Sequence, residues 1–209
     1  MPVSASLPMP LPLFPLRSVL FPGGLLQLKV FEVRYLDLVS SCLRVGQPFG
    51  VVCLRQGDEV RRGHEAVSLE EVGVLARLHD VSADEPGILR VRCTGLQRFR
   101  LLSQAEQRSD GLWQAPCETL PDDLPCSPEP PHLATVRALA QAIASMKGRG
   151  EVPIAQPYLL GDAGWVANRW CELLPISVQA RQRLMQLEDP LLRLGLVADY
   201  LRGKGVVGE

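Results

Sequence analysis

The stretch LPLFPLRSVLFPGGLLQLKVFEVRY, residues 11–35, decides how the whole chain is read. It is apolar almost throughout, and no charged side chain precedes Arg17. A secretory leader would need a positive start, a helical apolar stretch and a small-residue cleavage site. Here Pro8, Pro10, Pro12 and Pro15 interrupt the run, and each removes a backbone donor and disfavours helix. From Leu11 on, the segment is also too hydrophobic for a solvated tail. It therefore reads as folded structure: a frayed start over residues 1–10, then an edge-type strand around Leu11–Phe14, since edge strands tolerate proline. FPGG at Phe21–Gly24 reads as a turn, and a second strand follows with Leu26, Leu28 and Val30 on one face.

Working outward, the period changes at FEVRYLDLVSSCLRVG. Leu36, Val39 and Leu43 fall at helical spacing beside Tyr35, Leu38 and Cys42, and Gly46 is a stop, so a helix is predicted over Val33–Arg44. Strand patterns resume at 49–55, 70–80, 87–95 and 96–104, with a turn cluster ADEPG at 83–87 and another turn and strand in SDGLWQAPC. Residues 11–119 are thus a β-rich unit with one early helix. The Pro- and Asp-rich segment 120–132 reads as a linker. Beyond it the pattern is helical over 133–203, and 204–209 form a tail. Leu133, Val136, Leu139, Ala140, Ile143 and Met146 mark the first helix. Asp162, Ser177 and Asp189 suit the N-caps of three more, with Pro190 at the first helical position of the last. Short helices with apolar faces are expected to pack as a bundle. The fold class is α+β.

Bulk properties bound the function. Across 209 residues, 46% are hydrophobic and the formal net charge is −1, with lysine only at positions 29, 147 and 204. Such a balance gives no general drive toward nucleic acid or an anionic membrane. No window has the apolar length of a membrane span. The six cysteines lack C-x-x-C spacing and lie largely in apolar runs, which reads as buried small hydrophobes in a reducing compartment.

Catalytic signatures do not assemble. The only Gly-Lys pair, Gly203-Lys204, lacks the rest of a phosphate loop. There is no G-x-S-x-G elbow, and Lys29 has no marked serine partner for a Ser–Lys dyad. His64, His79 and His132 share no motif, and Asp122-Asp123 reads as a solvated turn. No metal site, cofactor or enzymatic activity is expected.

Several pieces, taken in order, resemble one family. The opening stretch resembles the start of the N-terminal, substrate-binding domain of Lon protease: a Leu-Pro-Leu strand, a Phe-Pro-Gly turn, and a strand running into a helix. Its Phe31-Glu32-x-Arg34-Tyr35 form is typical of short, free-standing Lon-domain proteins. EVGVLARL (71–78) resembles the family's Gly-x-x-Ala strand and GLQRFRLL (95–102) its Gly-x-x-Arg strand. Residues 165–201 resemble its helical end, with a Leu-Pro break and a helix starting near Asp-Pro. The resemblance implies a PUA-like β pseudo-barrel of six or so strands followed by an α-helical bundle. In full-length Lon this domain recognises unfolded or damaged polypeptide and helps assembly, while separate AAA+ and Ser–Lys protease domains act on it. A chain of 209 residues leaves no room for those.

The expectation is therefore a cytoplasmic, non-enzymatic polypeptide-recognition module with an adaptor or chaperone-like role in protein quality control. Its expected partners are unfolded or exposed polypeptide segments. The candidate binding residues are Phe21 and Pro22 in the turn and Phe31, Glu32, Arg34 and Tyr35, on a patch where turn and segment approach each other. Phe31 and Tyr35 equally suit stapling the helix to the barrel, and Arg34 and Arg98 suit fixing loops through carboxylate or carbonyl contacts. PUA-like barrels also occur in RNA-modifying proteins, but the neutral charge and scarce lysines count against nucleic acid. A regulator docking on an intact Lon protease through the helical half is the other alternative.

Overall fold

The computed structural model describes residues 9–56, 67–150 and 153–208, with the side chain of residue 84 excepted. The chain divides into two compact units, Met1–Pro121 and Asp122–Glu209.

The first unit is built on strands β1 (Leu11–Leu16), β2 (Leu25–Val30), β3 (Phe49–Gln56), β4 (Ser68–Leu69), β5 (Val72–Glu85), β6 (Ile88–Leu101), β7 (Glu106–Gln107), β8 (Trp113–Ala115) and β9 (Cys117–Thr119). One helix, α1 (Val33–Val45), follows β2. The described strands form one nine-stranded sheet in the order β2-β6-β5-β3-β1-β8-β7, with β4 on β3 and β9 on β6. Only Pro116 separates β8 from β9, so the pairings β1–β8 and β9–β6 close a ring through β6, β5, β3 and β1. Closure removes sheet edges from the ring and leaves β2 outside it, paired to the first half of β6.

β1 is not the edge strand its prolines suggested. It pairs in parallel with β3 and antiparallel with β8, and five of its six residues are buried. The two registers are staggered: β8 covers Leu11–Leu13 and β3 covers Leu13–Leu16. Pro12 and Pro15 thus each have a paired neighbour on one side only, so neither missing N–H breaks a ladder.

The runs 87–95 and 96–104, expected as two strands, are one. β6 passes unbroken through Gly95 because that glycine marks a close approach rather than a stop. A Cβ there would lie 2.2 Å from the Phe21 carbonyl oxygen. In its absence the Phe21–Gly24 turn docks directly on β6, with Gly23 N–H donating to Gly95 O (2.8 Å) and Gly95 N–H to Gly24 O (2.9 Å). Likewise, ADEPG is mostly strand: β5 runs to Glu85, which pairs with Ile88 around a tight turn at Gly87 (φ +75°).

The ring's interior is filled by Leu11, Leu13, Val52, Leu75, Phe99, Ala115 and Cys117. Phe99 is wholly buried, and Gly73 makes room for it: a Cβ at Gly73 would sit 2.6 Å from the Phe99 ring and 2.4 Å from Val51 O. Helix α1 buries Tyr35, Leu38, Val39 and Cys42, a 3-1-3 spacing, and ends as Gly46 (φ +72°) donates its N–H to Cys42 O. Leu43, expected on the buried face, is 56% exposed.

The second unit holds a 3₁₀ turn (Pro130–His132) and helices α2 (Leu133–Gly148), α3 (Ala163–Leu173), α4 (Val178–Gln186) and α5 (Pro190–Gly203). Each side-chain cap read from sequence is in place. Asp162 accepts from Trp165 N–H (2.7 Å), Ser177 from Ala180 N–H (3.1 Å), and Asp189 from Leu191 and Leu192 N–H (2.9 and 3.1 Å). Between α2 and α3, Trp170 donates to Thr135 O at 3.1 Å.

The helical unit centres on an arginine. Arg193 of α5 is 1% exposed and directs all five donors inward. They reach Asp123 Oδ2 (2.6 Å), Asp123 Oδ1 (3.2 Å), Asn168 Oδ1 (2.9 Å), Leu184 O (3.0 Å) and Leu187 O. The last two close the C-terminal end of α4, where a cation is favoured. Asp123 is therefore the half-buried ion-pair partner of a buried arginine rather than part of a solvated turn. Downstream, within the segment read as a linker, the Cys126 carbonyl accepts from Ala163 N–H (2.8 Å) at the start of α3.

Candidate functional site

The candidate residues fall in the first unit, and the fold sorts them by exposure. Phe21 is wholly buried and serves the turn that docks on Gly95, while Pro22 beside it is half-buried. Tyr35 is also core: its ring stacks on Phe14 at 4.1 Å and 20°, anchoring the first turn of α1 to β1. Phe21 and Tyr35 therefore leave the exposed surface, because each fills the space between a local turn and the barrel wall. Phe31 goes the other way, at 52% exposed, and is joined by Val33 at 72%.

Helical phase explains the split. Tyr35 lies on the same stripe as Leu38, Val39 and Cys42, whereas Val33 at the first helical position is out of phase with it. Val33 escaped the sequence reading, although its offset from the buried stripe was the available signal.

Arg34 holds this corner rigid. Its side chain is 9% exposed, pairs with Glu32 at 2.8 Å, donates to Gly111 O at 3.0 Å and lies 4.6 Å above the Tyr35 ring. Arg98, on β6, is 3% exposed and donates to Pro121 O (3.2 Å), fastening the chain after β9. Both arginines serve the scaffold by contacts to carbonyl or carboxylate oxygens.

Beside this corner runs a groove of about 350 Å³, open along one side. Phe14 and Leu16 of β1, Leu26 and Leu28 of β2, Phe31 and Tyr35 line it. Its lining mixes apolar side chains with the polar Ser18 and Gln27 and the charged Lys29 and Glu32.

The remaining reactive groups are held elsewhere. Cys42, Cys53, Cys93, Cys117 and Cys171 are buried, and burial pushes the Cys93 and Cys171 thiols up to about 12 and that of Cys42 to about 11. Among the described residues, no group of three or more His, Cys, Asp or Glu is placed to hold a metal ion. His64 lies outside the described residues; His79 is exposed on β5, and His132 is half-buried in the 3₁₀ turn. Lys29 is exposed on β2. In the second unit, burial pushes the Glu172 carboxyl up to about 7 despite its 2.8 Å contact with Arg169. No described helix is long and apolar enough to cross a membrane.

A ring-closed β unit carrying an apolar groove, followed by a capped helical unit, defines an α+β protein of the PUA-like pseudo-barrel class. Within that class, the chain belongs to the family of the ATP-dependent protease La (LON) substrate-binding domain, which it matches over residues 10–203. A crystal structure of a Lon N-terminal domain protein from Xanthomonas campestris is 34% identical, with a TM-score of 0.70. That match covers 91% of this chain and 97% of the other. The N-terminal domain of a Mycobacterium avium complex Lon protease shares the fold, with a TM-score of 0.60 at 12% identity over 91% of this chain and 96% of that one. Curated relatives include the Lon protease of Paraburkholderia phytofirmans, 27% identical over 93% of this chain, and that of Anaeromyxobacter dehalogenans, 28% identical over 95%. The chain spans only 24% of the length of either relative.

Proposed function

We propose that this protein is a non-enzymatic polypeptide-recognition module that holds exposed apolar segments of unfolded chains, with an adaptor or chaperone-like role in protein quality control. The observation that carries the reading is Phe31, exposed on the lining of the groove, with Val33 exposed two residues on, next to Arg34 and Tyr35, which Gly111 and Phe14 hold in place. Exposed apolar side chains on a rigid base bind at little ordering cost. Glu32 and Arg34 then act as positioning residues. Membership of a family named for substrate binding supports the same reading.

A labelled, permanently unfolded protein titrated with the full chain tests it. Binding is expected to weaken about tenfold in a Phe31→Ser, Val33→Ser double variant, a loss in keeping with removing two exposed apolar anchors. The folded form of the same client is expected not to bind. Equal affinity for both client forms, or an undiminished double variant, would overturn the reading.

A second reading is docking on a separate Lon protease. Its support is the pair Leu192 and Leu196, 51% and 45% exposed and one turn apart on α5. Native pull-down with a Leu192→Ser, Leu196→Ser variant separates the two, since client binding does not involve that face.

A further inference from the structure

We propose that the outer edge of β2 receives the bound polypeptide as an added strand, and that it selects segments in which apolar and acidic side chains alternate. The proposal rests on the polypeptide-recognition reading and names the chemistry that the site selects.

β2 ends the strand order, and β6 is its one partner among the described residues. Alternate residues of such a strand present N–H and C=O groups to the open side. Natural edges are usually blunted by proline, bulges or a run of charge. β2 has none of these: Leu25–Val30 holds one charge and no proline, and it pairs with β6 over six residues without a register shift. The register shifts of this sheet lie between β5 and β6 and between β3 and β4 instead.

The two faces of that edge differ in chemistry. Leu26, Leu28 and Val30 line the groove together with Phe14 and Tyr35, and Gln27 and Lys29 contribute to it as well. On the opposite face Lys29 stands directly across from Arg90, and Gln27 across from Arg92. These residues line a shallow hollow of about 460 Å³ that also includes Asp80 and Ser82 of β5. Like charges directly opposite across a sheet are unfavourable. Lys29 and Arg92 make no ion pair among the described residues, whereas Arg90 pairs with Glu85 at 2.9 Å. With a formal charge of −1 on the whole chain, this concentration of positive charge is local.

A strand added to β2 would alternate its side chains between these faces with period two. One set would enter the groove, where apolar groups meet Leu26, Leu28, Phe14 and Phe31. The other would lie beside Lys29 and within reach of Arg92, where a carboxylate meets the positive charge left over after Asp80, directly across from Arg92, and Glu85, paired with Arg90, are counted. Self-pairing of β2 between two copies is disfavoured, because it would extend one basic face into another.

The test uses the full chain and short labelled peptides the length of β2, read by fluorescence anisotropy. A peptide alternating glutamate with valine and leucine is expected to bind about tenfold tighter than its lysine counterpart, and Lys29→Glu is expected to reverse that order. N-methylation provides the signature of strand addition, since only alternate N–H groups of an added strand face β2. Methylating one alternate set abolishes binding and methylating the other spares it. Equal loss from both sets, or no preference for the acidic peptide, overturns the proposal. If the unfolded client still binds in that case, polypeptide recognition stands and only the strand-addition geometry falls; if neither binds, both fall. A single-stranded RNA of matching charge that outcompetes the acidic peptide at physiological salt would assign the face to nucleic acid and overturn the proposal.

Discussion

The two units solve the same problem with opposite materials. The β unit fills its ring with Leu11, Leu13, Leu75 and Phe99 and gains space by omitting side chains, at Gly73 and Gly95. Its buried Arg98 serves the periphery, donating to the carbonyl of Pro121. The helical unit instead places a charged guanidinium, Arg193, where an apolar core residue would be expected, and gathers Asp123, Asn168 and the end of α4 around it. An apolar ring tolerates no added volume, whereas a polar hub tolerates no lost partner.

The sharpest way to break this comparison is at the hub. Arg193→Met keeps the bulk but leaves Asp123 and two helix-end carbonyls without their donor, and is expected to destabilise the protein by about 4 kcal/mol. Arg193→Lys is expected to rescue little, because one ammonium cannot span five acceptors. Urea denaturation followed by circular dichroism measures both. A change below about 1 kcal/mol in Arg193→Met would show the network to be replaceable by packing.

Next comes Glu172, whose carboxyl is raised to about 7 chiefly by burial. A carboxyl with a higher pKa in the folded chain than in the unfolded one holds its proton more tightly when folded. Its stabilising contribution is therefore complete below the ordinary carboxylate range and is lost as pH rises through about 7. Relative to Glu172→Gln, the wild type is expected to lose about 3 kcal/mol between roughly pH 4 and pH 8. Paired unfolding curves across that range check it, and a pH-independent difference would contradict it.

The smallest of the three tests the other unit. Gly73→Ala drives a methyl into Phe99 and the Val51 carbonyl and is expected to cost about 2 kcal/mol. Adding Phe99→Leu should recover part of the loss by relieving one of the two clashes, which a double-mutant cycle would read as coupling.

Much of this architecture was legible in the residues. Caps depend on local chemistry, so Asp162, Ser177 and Asp189 announced their helices without tertiary information. Features set by long-range partners did not show. The prolines of β1 suggested an edge because the staggered registers that excuse them are made with strands far along the chain. Gly95 looked like a break because a close approach and a stop leave the same letter. Asp123 read as part of a solvated turn, because Arg193, the partner that gives it a structural role, lies 70 residues away. At the site, the motif from Phe31 to Tyr35 was readable as a unit, but which aromatic faced outward depended on the phase of α1 against Phe14.

The clasp formed by β8 and β9 has a consequence for synthesis. A nascent chain offers Leu11–Leu16 early, yet the strands that close the ring around it arrive roughly a hundred residues later. Until Trp113–Thr119 leaves the ribosome, the most apolar strand has its parallel partner but no antiparallel one. The β unit therefore completes late and nearly all at once, and through most of its own birth it exposes the kind of segment it is proposed to hold.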